Sequence, residues 1–323
     1  MNHDTPSARR ALLVASTGGH LDEMMLLERA FDPPFAHLEW ATSDDAHSRS
    51  VLGGRVVHHV ARVAPRDWRT ALGVLPRAWR ILGRAQADDV ISTGAAIAVP
   101  FLVLARLRGR RAHYVESVTR TNGPSMTGRM VRRIPGVRVY TQHQAWADAR
   151  WHHRGTVLDT FTVSAHTAPP RAGRVVVTLG TMRGYPFRRA VAAIQRALPS
   201  ALAPDAEVLW QVGDVPAPGV AARDMVPRDE LDAAMRDADL VIAHAGVGST
   251  LQSLSAGRVP VLLVRRHAHG EHIDDHQALW AEEVQRRGLA VSAEADDLTP
   301  QHLRDAMARR VGTDSSGRFR LEV

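Results

Sequence analysis

Short apolar runs alternate with helix-length amphipathic segments from one end of the chain to the other. Parallel strands joined by helical crossovers satisfy that rhythm, because each crossover lays its apolar stripe on a face of the sheet. Strands are expected at 11–16, 38–42, 56–60, 90–92, 112–116 and 137–141, and again at 174–179, 207–212, 240–243, 259–264 and 289–291. A chain of 323 residues exceeds the size at which one core stops growing, so two α/β domains are expected. Their bounds read as 1–163 and 175–312, with a linker bearing Pro169 and Pro170 at 164–174 and a loose tail at 313–323. The halves share a unit: DVISTG at 89–94, followed by a helix and a strand, answers to DLVIAHAG at 239–246, followed by the same.

Composition narrows the chemistry. Cysteine is absent, which excludes disulfides, thiolate metal sites and thiol nucleophiles. Lysine is absent too, so all 41 basic residues are arginine, and Schiff-base chemistry and a P-loop lysine are excluded. Histidine and carboxylate remain as proton-transfer groups. The net charge of +7 is modest, like charges form no long block and aromatics are only 5%, so nucleic acid is not an expected partner. An anionic small substrate or an anionic membrane surface suits the charge as well. The polar start at 1–10 and the apolar run ending at Ser16 do not make a signal peptide, and the uncharged stretch 90–105 is too short to span a bilayer. The expected location is cytoplasmic, peripheral on the inner face of the plasma membrane.

Open parallel sheets bind ligands beyond the carboxyl ends of their strands, here in a cleft between two domains. Two turns after expected strands carry suitable residues. In STGGH at 16–20, Gly18 and Gly19 allow close backbone approach and His20 projects from a helix start, where it can take a proton from a hydroxyl. In HAGVGST at 244–250, Gly246 and Gly248 expose backbone donors and Ser249 can cap a helix whose N-terminus favours a diphosphate. An ordinary glycine turn with a capping residue is the plain alternative for each. Neither turn matches GxGxxG, so hydride transfer is not expected. The loop RRHAHGEHIDDHQ at 265–277 has enough histidines and acids to suggest zinc or manganese, but lacks a helical metal-ligand spacing. The favoured reading is a loop in which Asp275 and Gln277 grip sugar hydroxyls.

The stretch from His244 to Gln277 resembles the nucleotide-sugar-binding region of glycosyltransferase family 28. It is similar in particular to the catalytic subunit of the two-subunit lipid-diphosphate N-acetylglucosaminyltransferase and to its bacterial exopolysaccharide glucuronosyltransferase counterparts. The first half resembles the membrane-recruiting partner subunit through STGGH at 16–20, DVISTG at 89–94, YVESVTR at 114–120 and PSMTGR at 124–129. The resemblance therefore implies a fused form with a GT-B fold: two Rossmann-like α/β domains whose parallel sheets face each other across a cleft. The first would bind a lipid-linked diphosphate saccharide acceptor and the second a UDP-sugar, with no cofactor and no essential metal. By matched positions, His244, Gly246, Gly248, Ser249 and Thr250 would hold the diphosphate, while Glu271, Asp275, His276 and Gln277 would serve the donor sugar. Gln252 stands where the family usually has a ribose-binding glutamate, and an amide is the weaker acceptor.

The transfer expected is inverting, with His20 as candidate general base and Glu116, at the end of a neighbouring strand, orienting or replacing it. Gly18, Gly19, Arg120, Ser125, Thr127 and Arg129 form the candidate acceptor site. Residues 68–84, with Trp68, Leu72, Leu75, Trp79 and Leu82 at helical spacing among arginines, read as a membrane-docking helix kinked at Pro76, or as a helix packed on its sheet. Arg265 and Arg266 could pair with a uronate carboxylate, which would favour glucuronate over N-acetylglucosamine, or with the diphosphate or neighbouring Asp and Glu. A natural-product glycosyltransferase with a soluble acceptor, a UDP-sugar epimerase and a nucleic-acid-binding protein are the alternatives.

Overall fold

The structure, a computed structural model, describes residues 9–63, 67–181, 184–313 and 318–322, without the side chain of Trp68. The chain divides into two compact units, residues 1–160 with 315–323 and residues 161–314.

In the first unit the strands are β1 (Arg10–Val14), β2 (His37–Ser43), β3 (Val56–Val60), β4 (Asp89–Ser92), β5 (Arg111–Val115), β6 (Val137–Thr141) and β7 (Trp151–His153). They form one seven-stranded parallel sheet in the order β3-β2-β1-β4-β5-β6-β7. Its helices are α1 (Gly19–Ala30), α2 (Ala46–Val51), α3 (Trp68–Gly73), α4 (Leu75–Arg84), α5 (Ala98–Leu107) and α6 (Met126–Val131). Central β1 and β4 are buried along almost their whole length, as strands covered on both faces must be. Leu12, Val14, Val90, Phe101, Leu102 and Tyr114 meet in this unit's main core.

The second unit repeats the plan with β8 (Ala172–Thr178), β9 (Leu202–Gln211), β10 (Ala222–Arg223), β11 (Leu240–His244), β12 (Val261–Val264) and β13 (Val291–Glu294). The order is β10-β9-β8-β11-β12-β13, all parallel. The helices are α7 (Arg188–Ala197), α8 (Arg228–Asp237), α9 (Val247–Ser255), α10 (His276–Arg286) and α11 (Pro300–Met307). Val175 and Val177 of β8 pack on one face with Ile194 and Leu303, while Val176 packs on the other with Met235, which is the period-two alternation of a sheet buried on both sides.

Each sheet reverses its strand order at one place, between β1 and β4 and between β8 and β11. The repeated sequence unit supplies β4 and β11, each introduced by an aspartate. Asp89 is buried and receives Arg9 at 2.9 Å, Arg111 at 2.8 Å and His113 at 3.0 Å. Asp239 accepts the backbone N–H groups of Gly173 at 2.8 Å and Arg174 at 3.0 Å.

The expected linker and tail differ from what forms. Phe161–Ala165 pairs antiparallel with Arg309–Thr313 inside the second unit, and β8 already starts at Ala172, so strand takes up both ends of 164–174 and only 166–171 connect them. Phe319–Arg320 pairs in parallel with Phe31–Asp32, and Phe319 is fully buried against the rings of Phe31 and Tyr140. The last described residues are therefore part of the first unit and not a loose tail. Phe319→Ala should lower the stability of that unit by about 3 kcal/mol or more, read by chemical denaturation, as for other buried aromatic truncations; an unchanged midpoint would show the segment to be detachable.

Candidate active site

In the first unit the turn after β1 runs into α1, whose N-cap is Gly18 at φ 84° with no side-chain cap. His20 follows, half-buried, with its Nδ1 buried and lacking a hydrogen-bond partner, which leaves Nε2 as the nitrogen a substrate can reach. The turn after β4 closes on the same ring. Thr93 Oγ1 donates to the His20 carbonyl at 2.9 Å, and a Cβ at Gly94 would lie 3.1 Å from His20 Cε1 and 3.3 Å from the Tyr114 hydroxyl. At φ 124° Gly94 tolerates no side chain in any case. Burial pushes His20 below the usual histidine range, and the Arg120 charge adds to this against a backbone contact with Thr93. The imidazole is a neutral base beside a cation.

Glu116, just beyond β5 and 1% exposed, does not reach His20 through a hydrogen bond. Its carboxylate accepts the Ser125 N–H at 2.9 Å, the Ser125 hydroxyl at 3.1 Å and the Tyr114 hydroxyl at 3.1 Å. Ser125 in turn caps α6 by accepting the Gly128 N–H. Burial raises Glu116 despite those donors, so the carboxyl organises the loop from Ser117 to Gly128. That loop carries Arg120, half-buried, whose charge is felt by His20, Tyr114 and Glu116. Thr127 is half-buried on α6, whereas Arg129 is exposed, and among the described residues its side chain joins no group here.

Sequence reasoning missed Glu23. It lies on α1 one turn after His20, fully buried, and accepts the Val118 N–H at 2.8 Å, the Ser117 hydroxyl at 2.8 Å and an amide N–H of Gln142. It ties the His20 helix to the Arg120 loop. The signal was a carboxylate on the same helix as buried Leu21, Met24 and Leu27.

In the second unit β11 ends on His244, and α9 begins three residues later with Gly246 as N-cap. Glycines wall the imidazole on two sides. A Cβ at Gly246 would lie 2.3 Å from His244 Nε2, and one at Gly180, φ 83°, would lie 2.9 Å from Cε1. Its Nδ1 sits 3.5 Å from both the Thr178 carbonyl and the Ser249 hydroxyl. Burial, with the Arg265 charge adding, pushes His244 down to about 3, so it is neutral near pH 7. The first-turn N–H groups at Val247, Gly248 and Ser249 have no helical acceptor behind them, the usual state of a helix start. Thr250 is committed elsewhere: its hydroxyl donates to Gly246 at 2.8 Å and accepts from Trp280 at 3.1 Å in the core.

The loop after β12 divides. Asp275 and His276 are exposed at the start of α10, Asp275 accepting the His267 N–H at 3.0 Å and His276 pairing with Asp274 at 2.9 Å. Gln277 is buried with its carbonyl 3.4 Å from the Arg265 N–H. Glu271, expected at the sugar, turns inward: Arg189 of α7 grips both its oxygens at 3.0–3.1 Å and the Arg266 N–H donates to it at 3.0 Å. Arg266 pairs with Glu294 at 3.0 Å, and Arg265 is spent on carbonyls, so neither is available to a uronate. Gln252 donates its amide to Asp232 at 2.7 Å, which leaves its carbonyl as the acceptor it can present.

Because Glu23 is pushed up to about 7 by burial, the folded state binds its proton more tightly than the unfolded chain, where the ordinary value is 4.5. Its contribution to stability is full below 4.5 and lost as pH rises through about 7. Comparing unfolding free energies across that window, Glu23→Gln should remove a fall on the order of 3 kcal/mol seen in the unsubstituted protein; parallel curves would place the titration elsewhere.

Residues 174–313 match the Glycosyltransferase family 28 C-terminal domain. The chain is 28% identical over 342 residues to the UDP-N-acetylglucosamine--N-acetylmuramyl-(pentapeptide) pyrophosphoryl-undecaprenol N-acetylglucosamine transferase of Salinibacter ruber, covering 94% of this chain and 88% of that protein. A stretch of 71 residues is 41% identical to the UDP-N-acetylglucosamine transferase subunit ALG13 of Yarrowia lipolytica, covering 22% of this chain and 34% of that protein. Among solved structures, MurG of Acinetobacter baumannii aligns with a TM-score of 0.56 at 16% identity over 93% of this chain and 94% of its own. At that identity the likeness is one of fold, the GT-B type built from two Rossmann-like domains.

Proposed function

We propose, from the premise that this chain belongs to glycosyltransferase family 28, that it transfers a sugar from a UDP-sugar to a lipid-linked diphosphate saccharide, inverting the anomeric carbon. The observation that carries the reading is the glycine-walled, neutral His244 at the open N-terminus of α9. Backbone donors, the helix dipole and an uncharged imidazole donor suit the growing negative charge of a departing nucleoside diphosphate. In the first unit the equivalent turn offers His20 and the Arg120 loop.

The step needs one base. An acceptor hydroxyl oxygen bonds to the anomeric carbon as the bond from that carbon to the diphosphate oxygen breaks; the electron pair leaves with UDP and the hydroxyl proton passes to His20 Nε2. A depressed histidine is unprotonated at neutral pH, and Arg120 beside it suits an acceptor that is itself a diphosphate. Glu116 and Glu23 hold that loop in place. With Arg265 and Arg266 engaged, a uronate has no arginine partner among the residues expected to serve it, and N-acetylglucosamine, the sugar named for the Salinibacter ruber relative, is the first donor to test.

Incubation with UDP-N-acetylglucosamine or UDP-glucuronate and a lipid-linked diphosphate saccharide, followed by mass analysis, should show one sugar added to the lipid and one UDP released. Sugar epimerisation without acceptor would contradict the reading. His20→Ala should slow turnover roughly 100-fold or more while leaving UDP binding intact.

An acceptor of this kind sits in a bilayer, and the first unit has a surface suited to one. Residues 68–84 form two helices and not one kinked helix: α3 ends at Gly73 and Pro76 lies in the first turn of α4. Ala78, Ile81 and Leu82 pack inward, but Leu72, Trp79 and Leu107 are exposed, at 63%, 47% and 71%. Arg108 stacks on Trp79 at 3.8 Å, and Arg69, Arg77, Arg80 and Arg84 surround the patch with no ion-pair partner among the described residues. No described helix is long and apolar enough to cross a membrane. Co-sedimentation with anionic vesicles should fall by roughly tenfold for Trp79→Ala combined with Arg80→Glu; binding that ignores both the substitutions and the anionic lipid would refute docking through this face.

A further inference from the structure

Arg265, at the carboxyl end of β12, is 2% exposed, and among the described residues no carboxylate comes within ion-pair distance of it. Its guanidinium donates to main-chain carbonyls instead. Nη1 reaches Tyr185 at 2.5 Å and Glu271 at 2.9 Å, Nη2 reaches Leu179 at 2.6 Å, and the group lies 5.0 Å over the Phe187 ring. Nε is buried without a partner. Glu271 and Asp214 act on it only from beyond ion-pair distance; a buried cation held chiefly by carbonyls is costly, and an apolar side chain of similar volume would fill the space at less cost.

The carbonyls it holds explain its place. Leu179 precedes Gly180, the residue whose backbone walls the His244 ring, and Tyr185 lies shortly before α7. Glu271 opens the stretch that ends with Asp275 and His276 at the start of α10. One planar fork therefore braces two loops that flank the carboxyl ends of β8 and β12, with β11 and His244 between them.

We propose that Arg265 is a positioning residue of the donor site: it fixes the loops on either side of His244 and keeps a buried positive charge there that favours the nucleotide diphosphate through its field, without touching it. The inference rests on the UDP-sugar reading for the identity of that anion. Lysine would keep the charge but cannot span the three carbonyls with a planar fork, and glutamine would lose both. The charges that face His244 are those of Arg265 and, less strongly, His272.

The test uses the full chain with Arg265→Lys and Arg265→Gln, measuring UDP affinity by calorimetry, kcat and KM for the UDP-sugar, and the His244 imidazole by nitrogen NMR across pH. Arg265→Lys should weaken UDP binding and raise KM roughly tenfold with kcat little changed, while His244 stays neutral at pH 5. Arg265→Gln should weaken UDP binding roughly 100-fold, and the His244 midpoint should climb toward the ordinary histidine value. Unchanged UDP affinity in both variants would overturn the proposal. If neither variant folds, the unsubstituted protein decides: a His244 midpoint near 6.5 means that the buried charge does not act there. An unsubstituted protein with no UDP affinity but a His244 that responds to Arg265 would sink the UDP-sugar reading and the field effect on the diphosphate with it, while leaving the bracing of the loops standing.

Discussion

A parallel sheet cannot have all its crossovers on one face without closing, so an open one reverses its strand order somewhere, and at that place two neighbouring strand ends send their chains apart. Both sheets of this protein have such a place, and everything chemical in the molecule is arranged around the two. At each, one strand end leads to a helix N-terminus bearing or following a histidine, and the neighbouring strand end supplies a glycine with positive φ that packs on that ring. Gly94 does this for His20 and Gly180 for His244. The repeat visible in the sequence marks the same topological position, although it supplies the glycine in the first unit and the histidine in the second.

The two histidines are alike in charge and different in surroundings. Both are half-buried and kept neutral by burial next to an arginine, but His20 Nδ1 is buried without a partner, whereas His244 Nδ1 sits 3.5 Å from the Thr178 carbonyl and the Ser249 hydroxyl and its ring is flanked by Gly180 and Gly246. The first environment suits proton acceptance and the second suits anion binding. The supporting carboxylates act at one remove. Glu23 and Glu116 hold the Arg120 loop through backbone and hydroxyl donors, and Glu271 is clamped by Arg189, so none of the three is free to grip a substrate with both oxygens.

Much of this was legible before any coordinate. Ten of the eleven expected strands form near their expected bounds, and the last, expected at 289–291, forms at Val291–Glu294; near-continuous apolar runs such as 261–264 and 175–177 have few other uses in a chain of this length. The glycine turns stood out for the same reason: a local requirement on φ or close approach leaves a local mark. What stayed hidden depends on distant partners. Phe319 gives no sign in its neighbours that its pocket is built by Phe31 and Tyr140, and the Arg309–Thr313 strand exists only because Phe161–Ala165 lies beside it. Arg265 and Arg266 are adjacent in sequence and read alike, yet one is a buried brace for carbonyls and the other pairs with Glu294. Side-chain commitment of that kind is decided by packing, which periodicity does not encode.

The division of labour between the two turns is open to one direct measurement. Titrating UDP into the full chain while following backbone amide resonances should shift Val247, Gly248 and Ser249 first and most, with Gly18 and Gly19 responding little. Saturable shifts centred on Gly18, Gly19 and His20, with the α9 turn unmoved, would mean that the nucleotide binds the first unit and that the roles assigned to the two histidines are reversed.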